Sequence, residues 1–281
     1  MRIFDNFSRS DAAPLTALAR HEQLSVVEGD IRDRPALDRA MTGVGCVVHL
    51  AAVCINKSLA DPAECFEVNV EGSHNVFESA SDSSVRRVIF ASSASVYGNA
   101  KRLPTREGDA LDPLTPYCKA KVEAEVALGD YAATGNFGWL ALRFFNVYGP
   151  GQPTDAFYTS VVLTFLRRMA AREPLVIDSA GSQTMDLIHV DDVARAVLMA
   201  VESEASGHAL NVGTGVQTSV LSLALALAAH LGVTAEHEFR TRPALVERRQ
   251  ADISKIQQVL GWVPAVDIDD GLATVIPDSE T

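Results

Sequence analysis

Cysteine is scarce in this chain. There are four, Cys46, Cys54, Cys65 and Cys118, and no two stand as a Cys-x-x-Cys pair. That spacing lacks the close ligand pairs of a structural zinc site and predicts reduced thiols in a cytoplasmic protein, with no metal. Long apolar runs are missing too. The longest, Val220 to Ala229, is broken by Ser222 and too short to span a bilayer. Met1 to Ser10 carries charge early and holds no apolar stretch of signal-peptide length. Positive charge is in deficit, with 24 Lys and Arg against 36 Asp and Glu, a net −12. An acidic surface repels nucleic acid and anionic membrane, so neither is an expected partner, and the excess reads as solubility.

Apolar residues make up 47% of the 281, enough for a sizeable core, and charged residues 21%, a globular proportion. Short β-branched runs alternate with amphipathic stretches. Val44 to Ala52, Arg87 to Ser92 and Trp139 to Phe145 read as buried strands. Helices are predicted over Asp61 to Ala80, where Asp61 is placed to cap and Pro62 to sit in the first turn, and over Pro116 to Ala133. Alternating strands and helices predict a parallel sheet covered on both faces. Beyond Gly149-Pro150-Gly151 the pattern loosens, with helices predicted at Tyr158 to Ala171, Val190 to Glu202, Ser219 to Leu231 and Ile253 to Leu260.

The chain opens on a strand, Met1 to Phe4, ending at Asp5. An acid at such a strand end holds ribose hydroxyls in a nucleotide-binding βαβ unit, about 20 residues after a glycine-rich turn. No such turn precedes Asp5 in the sequence, and the expectation is a misplaced start, which the coding DNA upstream of Met1 would settle.

Tyr117 and Lys121 form a Tyr-x-x-x-Lys motif. Four residues apart on a helix, they share a face, and the ammonium favours the phenolate, making tyrosine a usable base near neutral pH. A surface helix with a half-buried tyrosine would give the same spacing. Upstream, Ser92-Ser93-Ala94-Ser95-Val96-Tyr97-Gly98 ends an apolar strand, where α/β sheets place their sites. A hydroxyl there suits a substrate oxygen, although small residues also simply make turns. His49, inside an apolar strand, reads as a satisfied core histidine, and Cys118 as a space-filler. His189 with Asp191 and Asp192 has the look of a metal cluster; the acids also suit a helix N-terminus.

Taken in order, DNFS (5–8), GDIRD (29–33), VVHLAA (47–52), NVEGSHNV (69–76), SSASVYG (92–98), YCKAK (117–121), LRFFNVYGPGQ (142–152), IHVDDVARA (188–196), NVGTG (211–215) and ADISKIQQVLGW (251–262) resemble the NAD-dependent epimerase/dehydratase family, the extended short-chain dehydrogenases acting on nucleotide-sugars. The resemblance spans nearly the whole chain. It implies an α/β fold: a Rossmann-like doubly wound parallel sheet, its first strand and glycine loop absent from the sequence, with a smaller, mostly helical C-terminal substrate region. The implied division is an NAD-binding part over 1–150, with 184–215 packing back on it, and a substrate-binding part over 151–281.

The resemblance also implies roles. Asp5 and Asn6 would contact the adenosine ribose of NAD, Asp30 and Ile31 would flank adenine (Asp30 is otherwise a turn acid), and Leu50, Ala51, Ala52 and Asn69 would line the cofactor trough. Ser93 would assist catalysis, Tyr117 would be the base, and Lys121 would tune it and hold the nicotinamide ribose. Phe145, Asn146 and Val147 would face the nicotinamide or the sugar diphosphate, with Ser95 also on the substrate side. Family dehydratases resemble one another in an acidic pair after the active-site hydroxyl residue, and decarboxylases in a glutamate there. Here those positions are Ala94 and Ser95, which leaves 4-epimerisation of a nucleotide-diphosphate sugar. Where many members have an arginine before the Asp of the IHV segment, this chain has Met185. Arg242, Arg248 and Arg249 are the alternative cations for a diphosphate, or else a solvated basic run. A homodimer through the helices near 61–80 and 116–133 is implied. The other readings are a dehydratase or reductase of the same family and a truncated, non-catalytic paralogue.

Overall fold

The computed structural model describes residues 1–9, 23–152, 160–241 and 246–276. Among them the chain packs as two compact units. The first comprises Met1–Ser92, Pro113–Ala141 and Val201–His208; the second comprises Ser93–Asp112, Leu142–Ala200 and Ala209–Thr281.

In the first unit, β1 (Arg2–Asp5) pairs in parallel with β2 (Ser25–Glu28) as a two-stranded sheet. A four-stranded sheet runs β10-β5-β4-β3, made of β3 (Cys46–His49), β4 (Arg87–Ser93), β5 (Gly138–Phe144) and β10 (His208–Val212). β3 lies parallel to β4, with Cys46 opposite Arg87 and His49 opposite Phe90. Val88, Ile89 and Phe90 are fully buried, as expected of a strand covered on both faces. The predicted strand Val44 to Ala52 shortens to β3 because Leu50 to Val53 leave the ladder; Val53 pairs instead with the Asn69 side chain.

Capping sets the helix starts. Asp33 accepts from Ala36 N at the head of α1 (Arg34–Met41), and α2 (Ile55–Ala60) is followed by Asp61, which accepts from Glu64 N ahead of Pro62. From Pro62 the backbone stays helical to Ser81, but not uniformly. A π-helical turn over Glu67–Glu71 separates α3 (Pro62–Phe66) from α4 (Gly72–Ser81). In α5 (Pro116–Gly135), Thr115 accepts from Cys118 N, Pro116 takes the first turn, and Asn136 closes the helix at φ 57°.

The second unit has its own core. α6 (Val161–Ala170), α8 (Val220–Leu231) and α10 (Ile268–Ala273) contribute Phe165, Leu166, Leu223, Leu227 and Leu272 around Tyr148, Leu175, Ile177 and Leu187. Each such side chain contributes roughly 1.5–3 kcal/mol on burial. The first residues of the predicted helix Tyr158 to Ala171 lie outside the described residues; the helix proper starts after Ser160, which accepts from Leu163 N. α7 (Val190–Glu202) and α9 (Ser254–Leu260) complete the described helices. Short strands join these helices in pairs. β6 (Asn146–Tyr148) lies parallel to β9 (Leu187–His189), β7 (Leu175–Asp178) parallel to β12 (His237–Arg240), and β8 (Thr184–Met185) antiparallel to β11 (Thr218–Ser219). α10 packs so closely on β6 that a Cβ at Gly271 would collide with the Tyr148 hydroxyl.

Candidate active site

At the end of β1, Asp5 and Asn6 are exposed. Asp5 Oδ1 accepts from Phe7 N at 2.7 Å, and Asn6 Nδ2 donates to Asp30 Oδ2 at 2.9 Å. Asp30, just past β2, also accepts from Arg32 Nε at 3.0 Å and Nη2 at 2.8 Å. Arg32 holds the Asp30 carboxyl well below the usual carboxylate range. The structure therefore brings Asp5, Asn6 and Asp30 together, with Ile31 buried beside them against Gly72. Side-chain oxygens at parallel strand ends suit ribose hydroxyls. Leu50 and Ala51 follow β3 in the open, Leu50 at 60% exposure, leaving an exposed apolar surface. Asn69 pins the far end of that stretch: its Oδ1 accepts from Val53 N at 2.7 Å and its Nδ2 donates to Val53 O at 3.0 Å.

Tyr117 and Lys121 lie on the first two turns of α5. Tyr117 packs on a small buried cluster of Val53, Cys65, Val70 and Ala120, and its backbone N donates to Ser58 Oγ at 3.3 Å. Lys121 is 3% exposed; its Nζ lies 5.7 Å from the Tyr117 ring centre and donates to Ala91 O at 2.8 Å. Burial pulls the Lys121 ammonium down to about 8, while Cys65 and Glu125 draw it the other way. A buried cation at this distance stabilises a phenolate.

His49 is buried, with Nε2 2.9 Å from Ser73 Oγ and Phe77 and Phe90 against its ring, and burial pushes it down to about 3. It is the satisfied core histidine the sequence predicts. Cys118 is buried, 3.0 Å from Thr115 Oγ1.

In the second unit, Ser93 closes β4 in an extended conformation, and its Oγ accepts from Ser95 N at 3.2 Å and Ser95 Oγ at 2.9 Å. β6 carries Asn146 and Val147, preceded by the buried Phe145. Asn146 Oδ1 is buried without a hydrogen-bond partner among the described residues, an acceptor suited to a ligand hydroxyl or N–H. Asn146 N donates to Asp186 O at 3.0 Å. The Asp186 carboxylate is fully buried and accepts from Thr214 N and Oγ1, both at 2.7 Å, and from Gly215 N and Ala251 N, both at 2.9 Å. Burial pushes this carboxyl up against those four bonds.

Thr184, next to Met185, bridges in parallel to Arg248, with Thr184 N donating to Glu247 O and Arg249 N to Thr184 O. The exposed Arg248 thereby lies alongside the Met185 position. Arg242 lies outside the described residues.

Of the two acids after His189, Asp191 stays beside it, with its Oδ2 3.5 Å from His189 Nδ1, and Asp192 turns to other partners. His189 Nε2 lies 3.0 Å from Thr274 Oγ1, while the buried Asp192 accepts from Ala265 N and Val266 N and pairs with Arg195. Both acids fall in the first turn of α7. Three buried or half-buried polar groups are given no role from the sequence: Glu125, Asp186 and Arg143, whose Nη1 donates to Tyr97 Oη at 2.9 Å and to Glu107 O at 3.1 Å. A charge inside the apolar run Leu140 to Phe145 was the available signal for Arg143.

The sequence matches the NAD dependent epimerase/dehydratase family over residues 5–213. The chain belongs to that family. Among its relatives is the UDP-glucose 4-epimerase of Mycolicibacterium smegmatis, 33% identical, with the match covering 97% of this chain and 88% of that one. UDP-N-acetylglucosamine 4-epimerase from Methanobrevibacter ruminantium, solved in complex with UDP-N-acetylmuramic acid, superposes with a TM-score of 0.92 at 28% identity, covering 98% of this chain and 88% of that one. UDP-glucuronic acid 4-epimerase from Bacillus cereus, solved with UDP-glucuronic acid and NAD, gives 0.89 at 26% identity, covering 97% and 88%. The family fold is the α/β Rossmann type expected from the strand and helix alternation, and NAD is the family's cofactor. No described helix is long and apolar enough to cross a membrane.

Proposed function

We propose that this chain is an NAD-dependent 4-epimerase of a nucleotide-diphosphate sugar. The observation that carries the reading is the buried Lys121 ammonium 5.7 Å from the Tyr117 ring, in a chain whose relatives are named as nucleotide-sugar 4-epimerases. Bound NAD supplies the acceptor and donor of hydride at sugar carbon 4. Tyr117, as phenolate, takes the proton from the 4-hydroxyl and later returns it. Lys121 stabilises that phenolate and holds the nicotinamide ribose; Ser93 hydrogen-bonds the 4-oxygen. Asp5, Asn6, Asp30 and Ile31 hold the adenosine end, Leu50, Ala51, Ala52 and Asn69 shape the trough, and Phe145 and Val147 face the nicotinamide. Asn146 and Ser95 contact the substrate, and Arg248 and Arg242 supply the charge for its diphosphate that Met185 does not. An acid at Asp5 disfavours the extra phosphate of NADP.

One feature supports epimerisation over dehydration: Ala94 and Ser95 bring no carboxylate beside Ser93. The segment 151–281 is the proposed substrate-binding region, with 1–150 the cofactor-binding one. A cytoplasmic homodimer through α3, α4 and α5 completes the reading; the exposed Phe66 and Val126 on those helices support it.

The test is incubation with NAD and a panel of UDP- and dTDP-hexoses, with products resolved by chromatography. The expected product is the C4 epimer, and turnover falls about 10²- to 10⁴-fold in Tyr117→Phe. A 4,6-dehydrated product, or a Tyr117→Phe protein as fast as its parent, would refute the reading.

A further inference from the structure

The face of α5 that carries Tyr117 and Lys121 continues to Glu125. Glu125 follows Lys121 by four residues, as Lys121 follows Tyr117, so the three side chains stand one turn apart on one face. Two of them grip successive residues at the end of β4. Lys121 Nζ donates to Ala91 O at 2.8 Å, and the buried Ser92 Oγ donates to Glu125 Oε1. The next residue is Ser93. Glu125 is half-buried, so its charge is screened less than that of a surface carboxylate.

We propose that Glu125 is a positioning residue for the Tyr117–Lys121 pair: held by Ser92, its carboxylate keeps the neighbouring ammonium charged and seated on the end of β4. The proposal rests on the epimerase reading, which requires a cationic Lys121 beside Tyr117. Burial alone works against that cation. The ionisable groups around Lys121 come from three elements: His49 from β3, Cys65 from α3, and Tyr117 and Glu125 from α5 itself, with the uncharged Phe90 ring of β4 4.7 Å from Nζ. His49 is driven neutral by burial, and burial pushes the Cys65 thiol up, also toward its neutral form. That leaves Glu125 as the carboxylate in this set.

The titration of Lys121, followed by NMR in lysine-labelled protein and assigned by the signal lost in Lys121→Arg, tests this without cofactor or substrate. In Glu125→Gln, which retains an oxygen to accept from Ser92, the Lys121 midpoint is expected to fall by about one pH unit. In Ser92→Ala, which frees the carboxylate, it moves the same way by less. The basic limb of the kcat/KM profile follows it down. A Lys121 midpoint unmoved in Glu125→Gln overturns the proposal, whatever happens to stability. The two ideas separate cleanly: a parent protein that epimerises while Lys121 stays unmoved sinks the role of Glu125 alone. One in which Lys121 moves but no sugar is epimerised supports that role and sinks the epimerase reading.

Discussion

Two sets of polar side chains, one in each unit, are held in opposite ways. In the first, the exposed Asp5 and Asn6 and the half-buried Asp30 sit at adjacent strand ends, bonded mainly to residues near in sequence or just across a two-stranded sheet. In the second, Asp186, Arg143 and Asn211 are buried, and each ties together segments far apart in the chain. Asn211 N donates to Glu107 Oε1, its Nδ2 to Thr105 O, and its Oδ1 accepts from Tyr97 Oη. The lesson is a division of labour. Exposed oxygens are available to a ligand and contribute little to folding; buried ones hold loops in place and leave little capacity for anything else.

Substitution is the sharpest way to break this contrast. Asp186→Ala leaves three backbone donors and the Thr214 hydroxyl without their acceptor, so it should cost about 3 kcal/mol or more in urea unfolding. A loss under about 0.5 kcal/mol would show that the cage is decorative.

The first unit also buries polar groups, and His49 is one of them that acts through pH. Its folded value, about 3, lies below the ordinary 6.5. Between those values the unfolded chain takes up a proton that the folded chain refuses. Stability is therefore full above about 6.5 and declines as pH falls, by about 2 kcal/mol at pH 5 from this residue. His49→Gln should flatten that slope in urea midpoints measured at pH 7 and pH 5; an unchanged slope would place the acid sensitivity elsewhere.

The smallest stability effect belongs to Asp5→Ala, within about 0.5 kcal/mol, since the side chain is exposed. Its NAD affinity, read by fluorescence titration, should nonetheless drop about tenfold, the equivalent of one lost hydrogen bond to a charged group. A large fall in stability with unchanged NAD binding would invert the contrast.

How much of this was legible follows from the range of each interaction. Tyr117 and Lys121 could be paired from spacing alone because a helix brings i and i+4 together. Asp61, with Pro62 behind it, announced its helix because the cap bond closes within three residues. The π-helical turn at Glu67–Glu71 was not legible: one extra residue in a turn hardly disturbs a pattern read over twenty. It matters locally, because Asn69 lies within it and reaches back to Val53. Asp186 was visible only as an acid before an apolar strand. Its partners sit 28 to 65 positions further along, and no local rule connects them. The place of Arg248 beside Met185 was hidden likewise, since it depends on a bridge to Thr184.

Close packing at Gly271 has an evolutionary corollary. Tyr148 ends the strand that begins with Asn146, and its hydroxyl occupies the space a side chain at 271 would need. The two positions can therefore drift only in concert: while the tyrosine persists, its neighbour must remain the smallest residue. A lineage that swapped the phenol for something shorter would be released to enlarge position 271. Covariation between these sites, more than invariance at either, is the trace this contact should leave among homologues.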